Sequence, residues 1–183
     1  GKKGIKIIPC YYKKDYPEWS DRGDGPGAPV AVHLPNSPVI ATGKRDGSKI
    51  RLPNGNYLEE TASYYVMIET KGGGYTPALI TMKSTQLNVS KKWNSMMKTI
   101  QIPDGKGGFA IPPMHGVVYN LASTLQKNDK GSWYGWVVTQ DRILGQADKA
   151  LYLSAKDFSG NVSKGTVQTK ADVEEKVKDS TPY

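Results

Sequence analysis

Tyr11, Tyr12, Tyr16 and Trp19 are interleaved with Lys13, Lys14 and Arg22 near the start of this chain. The mixture recurs further on. Trp93 follows Lys91 and Lys92, while Trp133, Tyr134 and Trp136 follow Lys127 and Lys130. Flat apolar rings beside cations are what a surface needs to hold unpaired bases, since each base offers a π-face and each phosphate a charge. The same rings are ordinary core residues, so the pattern alone does not say which are exposed. Alternation along Ser132–Thr139 narrows the choice. Tyr134 and Trp136 point one way and Trp133 and Val137 the other, so whichever face enters the core, the other leaves an aromatic in solvent.

Catalytic chemistry has less to work with. Cys10, His33 and His115 are the only soft or borderline metal ligands, and they lack the short spacings of a zinc site. No base is patterned near Cys10 or a serine for nucleophilic attack. Asp21, Asp24, Asp46, Glu59 and Glu60 could hold Mg2+ as in a nuclease, but they fall in expected turns, where such residues serve the backbone. Pro103–Phe109 is glycine-rich without the Gly-Lys-Ser/Thr of a phosphate-binding loop. A non-enzyme is expected, with no metal and no cofactor.

Charge points to a polyanionic partner. The 183 residues carry 25 Lys and Arg against 17 Asp and Glu, a formal +8. The excess lies in residues 1–100, which hold 15 basic and 8 acidic side chains, against 10 and 9 in the remainder. A nucleic acid would therefore meet the first half. The single cysteine allows no internal disulfide, which fits a reducing compartment. No apolar run approaches the roughly 18 residues of a membrane span, and neither a membrane partner nor a signal peptide is expected.

The elements that must position these residues are mostly strands. Lys2–Tyr12 reads as the first, with Pro9 marking an edge or a strand end because it has no N–H to donate. Val30–His33 is a short apolar strand. Asp46-Gly47 and Leu52–Asn56 signal tight turns, and Tyr64–Glu69 and Thr76–Met82 form a hairpin. Ser84 is placed to cap a helix that follows directly, with Leu87, Trp93, Met96 and Met97 on one face. Val117–Leu125 and Ser132–Thr139 form a final hairpin. Leu144–Phe158 is a further helix candidate, and Thr169–Lys178 has helix-compatible composition. Strands, a helix after the third, then a closing hairpin describe a mainly β, OB-like barrel over residues 1–140, with a helical or extended segment over 141–183. A sandwich is the alternative.

Three tracts, Leu52–Ile68, Pro77–Met97 and Asn128–Val138, together resemble a family of tailed-bacteriophage proteins associated with single-stranded DNA binding. The resemblance covers about Lys13–Val138 and implies a role in phage DNA replication or recombination in the host cytoplasm. It brings no set of contact residues with it. Phage and bacterial single-strand binders often end in a strongly acidic tail, whereas Lys170–Tyr183 holds four acidic and three basic residues. From the residues themselves, Lys13, Lys14, Arg22, Lys44, Arg45, Lys91 and Lys92 are expected on phosphates, and Tyr12, Trp19, Tyr134 and Trp136 under bases. The expected partners are single-stranded DNA and replication proteins, with self-association into a homo-oligomer left open. A virion structural or assembly protein is the second reading and a metal-dependent nuclease the third.

Overall fold

A computed structural model describes residues 4–21, 27–129 and 131–167. Its spine is β1, Ile5–Trp19, which hydrogen-bonds to a different set of strands at each end. At its beginning, β1 lies between β10 (Val117–Asn128) and β6 (Thr61–Glu69). β11 (Gly131–Ile143) extends the sheet beyond β10, and β7 (Tyr75–Lys83) extends it beyond β6. The order β11-β10-β1-β6-β7 is antiparallel throughout and curls into an open, OB-like half-barrel.

Pro9 has a paired strand on one side only, because the ladder to β10 ends at Ile7, but it does not end β1. It sits mid-strand, paired with Val66, where the register slips between Pro9 and Tyr11. That β-bulge interrupts the ladder, which is where a central strand tolerates a residue without an N–H. Cys10 is the extra residue, and the slip shifts the alternation so that Ile7 before it and Tyr12 after it both face the main core, while Ile8 and Cys10 share a second buried cluster.

Between β1 and β6 the chain makes a small second layer. It contains β2 (Ala31–His33), the short helix α1 (Pro38–Thr42), β3 (Lys44–Asp46), β4 (Lys49–Arg51) and β5 (Tyr57–Glu59). β2 pairs with one side of the end of β1, and β5 with the other. β4 and β3 follow outward from β5 around a core of Tyr16, Ile50, Leu52 and Leu58.

Helix α2, Leu87–Thr99, lies over the inner face of the half-barrel. Trp93 and Met97 enter the main core with Ile7, Val66, Met82, Tyr119 and Val138. Trp93 stacks on Tyr64 with ring centres 4.3 Å apart and meets Tyr119 edge-on at 5.6 Å. Ser84 does not cap this helix as expected. Its backbone takes a left-handed φ of +52° and starts a 3-10 turn, Ser84–Gln86, so α2 begins after Gln86 with no side-chain cap. β7 and β11 end the main sheet and share no ladder among the described residues. Gln86 bridges them, its Oε1 accepting the Trp136 N–H at 3.1 Å.

β8 (Ile102–Pro103) and β9 (Phe109–Ala110) form a small separate hairpin. α3, Lys149–Ser163, begins later than the sequence suggests, because Gly145–Asp148 is occupied by a turn in which Asp148 binds Arg142 at 2.7 Å. It packs Ala155, Leu151 and Phe158 against Ile8, Cys10, Met67 and Val118. The helix-compatible stretch Thr169–Lys178 lies outside the described residues.

Candidate nucleic-acid interface

In antiparallel sheets, directly opposed residues share a face. The register opposes Lys44 to Arg51, Arg51 to Tyr57, and Tyr57 to Trp19. These four side chains therefore form one row across β3, β4, β5 and β1. The neighbouring row, Arg45, Ile50, Leu58 and Glu18, takes the opposite face, and Ile50 and Leu58 fill the small core. Burial of that second row fixes the register, since a one-residue slip would turn the basic and aromatic row inward. Gly47, at φ +59° in the β3–β4 turn, allows the two-residue connection that sets it.

More cations gather on these rings. Lys49 Nζ lies 3.6 Å from the centre of the Tyr57 ring, with the Arg51 guanidinium 5.5 Å from the same centre. Lys83 Nζ lies 6.0 Å from the centre of the Trp19 ring. Arg51 is held by Asp21 at 3.2 Å and Asp46 at 3.4 Å, bonds that raise its pKa further. Lys83 pairs with Glu59 at 2.9 Å. A guanidinium has five donors, so two carboxylates orient Arg51 without exhausting it.

Behind this row, the buried Glu18 carboxylate accepts from Asn56 Nδ2 at 2.6 Å, His33 Nε2 at 2.7 Å and Asn54 Nδ2 at 3.1 Å. The Asn56 bond first, then the His33 bond, holds its pKa below the usual carboxylate range. One side chain thus ties β2 and the β4–β5 turn to the end of β1, next to Trp19.

The residues expected from sequence do not form one site. Trp19 and Lys44 join the row just described, while Arg45 faces away from it. Tyr12 packs on Tyr64 at 4.9 Å and lines a cleft of about 310 Å3 with Met97, Lys98, Ile111 and Met114. Lys13 pairs with Asp15 at 3.3 Å, and Lys14 with Glu60 at 3.2 Å. Arg22 lies outside the described residues, as do Lys130 and Asp24. Lys91 and Lys92 are exposed on α2. Lys92 lines a cleft with Trp136, and Tyr134, 67% exposed, lies two residues before Trp136 near the start of β11. Lys49, Arg51, Tyr57 and Lys83 were missed. Aligning the two turns with a period of two places Arg51 opposite Lys44 and Tyr57 opposite Arg51.

Among the described residues, no three His, Cys, Asp or Glu side chains gather as a metal site would require. Asp21, Asp46, Glu59 and Glu60 each engage a cation. Burial pushes the Cys10 thiol up to about 12, far from a nucleophile's range. No helix among the described residues is long and apolar enough to cross a membrane.

No curated protein and no solved structure matches the chain. A family model described as Pam3 phage gp34-like protein matches residues 1–168, so the chain belongs to that family of bacteriophage proteins.

Proposed function

We propose that this member of a phage protein family is a non-catalytic, sequence-tolerant single-stranded DNA-binding protein. The observation that carries the reading is the cross-strand row Lys44, Arg51, Tyr57 and Trp19, with Lys49 and Lys83 against its rings. Bases stack on Tyr57 and Trp19, and phosphates run along the cations on either side. Rings serve every base alike, so the binding needs no sequence preference. Such a protein would act on phage DNA exposed during replication or recombination in the host cytoplasm.

Anisotropy of a labelled thirty-base strand and the matching duplex, titrated at two salt concentrations, tests this. Tight single-strand binding that weakens steeply with salt, with the duplex markedly poorer, is expected. Equal weak binding to both forms would reduce the row to a generic basic surface.

A virion assembly role is the second reading, and one feature favours it. Val30, Val32 and Leu34, 57%, 48% and 65% exposed, alternate along the β2 segment as an apolar stripe. Rings or lattices forming without nucleic acid in electron micrographs would support that role instead.

A further inference from the structure

We infer that the DNA path does not end at Trp19. It crosses the Ser84–Gln86 turn onto helix α2, where Lys92 and Trp136 make a second contact with the same strand. The inference rests on the single-strand reading above and extends it to the opposite side of the barrel seam.

The connection is short. Lys83, whose ammonium faces the Trp19 ring, is the last residue of β7. Gln86 follows three residues later, at most about 10 Å of chain, and its side chain is bonded to the Trp136 backbone. Trp19, Lys83, Gln86 and Trp136 are thus successive neighbours across a seam where the barrel has no ladder among the described residues. Thr85, in the same turn, lines a cleft of about 230 Å3 with Ser132 and Trp133. The turn therefore has two tryptophans of β11 beside it.

The chain segment that carries this route brings charge of one sign. From Thr70 to Pro103 the sequence contains no Asp or Glu, while Lys71, Lys83, Lys91, Lys92 and Lys98 all fall within it. Lys91, Lys92 and Lys98 are exposed on α2. On the first row, by contrast, each of Arg51 and Lys83 shares its charge with carboxylates. In the direction of α2, a polyanion leaving Trp19 meets Lys91, Lys92 and Lys98, exposed lysines outside those ion pairs.

The far end is shaped to receive a base. Lys92, Val89, Gln126, Trp136 and Val138 line a cleft of about 180 Å3, with Trp136 38% exposed. Gln126 reaches it across Gly135, where an added Cβ would collide with the Gln126 amide. The cleft thus joins a ring for stacking, an amide for a base edge and an ammonium for a phosphate.

The test compares oligothymidylates of about 6 and about 16 nucleotides, the range one such barrel holds, with the wild type and the Lys91→Glu/Lys92→Glu double variant. The wild type should bind the longer strand at least tenfold more tightly, with a steeper salt dependence. The double variant should lose that gain and bind the short strand as the wild type does. Trp136→Phe should lessen the fluorescence quenching caused by the longer strand but not by the shorter. A long-strand affinity untouched by the double variant overturns the inference, and so does equal weakening at both lengths. Failure of the first reading looks different, because Tyr57→Ala would then leave short-strand binding intact.

Discussion

The Lys49 ammonium lies 3.6 Å from the centre of the Tyr57 ring, on the same half-buried tyrosine that Arg51 flanks at 5.5 Å. A cation over an aromatic face is attracted by the ring quadrupole, by about 0.5–1 kcal/mol where solvent reaches it. Two cations on one ring repel each other, so the arrangement gains most when an anion arrives between them. Tyr57 thus holds two positive charges close together, one over its face and one farther out, which is what the proposed phosphate contact would use.

Truncating the rings should weaken DNA binding far more than it weakens the fold. Tyr57→Ala and Trp19→Ala are each expected to cost about 1–3 kcal/mol of single-strand affinity. Tyr57→Phe keeps the stacking face and should stay near wild type. Anisotropy titrations read the affinity, and thermal melts confirm that the variants remain folded.

Neighbouring basic residues on opposite faces should behave differently. Lys44→Ala should lower the salt slope of single-strand binding by about 0.7, the value for one phosphate contact on a single strand. Arg45→Ala, one residue on but turned to the other face, should leave the slope unchanged. If the two variants behave alike, the register gives no binding face.

Glu18 makes stability depend on pH in a definite direction. Its folded pKa is lowered, by the Asn56 bond first and the His33 bond next, from an ordinary value of 4.5. The stabilisation is therefore complete above that ordinary value and is lost as pH falls through the lower, folded one. Melting temperatures between about pH 3 and 7 should fall at the acid end, and less so in Glu18→Gln. Glu18→Ala strands three donors and should cost about 1–3 kcal/mol at neutral pH.

Trp93 is the core residue whose loss should be felt most. It is 1% exposed and wedged between Tyr64 and Tyr119. Trp93→Ala should destabilise the protein by about 3–5 kcal/mol in denaturant titration.

The barrel was legible because its signals are local. Alternation gave the hairpins β6–β7 and β10–β11, and the change of period after Met82 gave α2. The bulge beside Pro9, and the continuation of β1 past it, were not legible because a bulge depends on what the partner strand does, which no single strand records. Ser84 misled because residue preference says where a cap is favoured, not whether the backbone turns left-handed first. The candidate site was legible only in composition. Charge and ring single out Lys44 and Trp19, but what unites them is the register of four strands, which also brings in Arg51 and Tyr57. Glu18 was unreadable as a support because its three donors come from β2 and the β4–β5 turn, whose approach to β1 is a tertiary fact.

The central claim, that DNA lies on this row, is tested most directly by ultraviolet cross-linking. A bromodeoxyuridine-substituted single strand would be irradiated with the protein and the adducts located by peptide mass spectrometry. Adducts at Trp19 and Tyr57, abolished by unlabelled competitor strand, are the expected result. Bound strand with adducts only on segments remote from both residues would contradict the account.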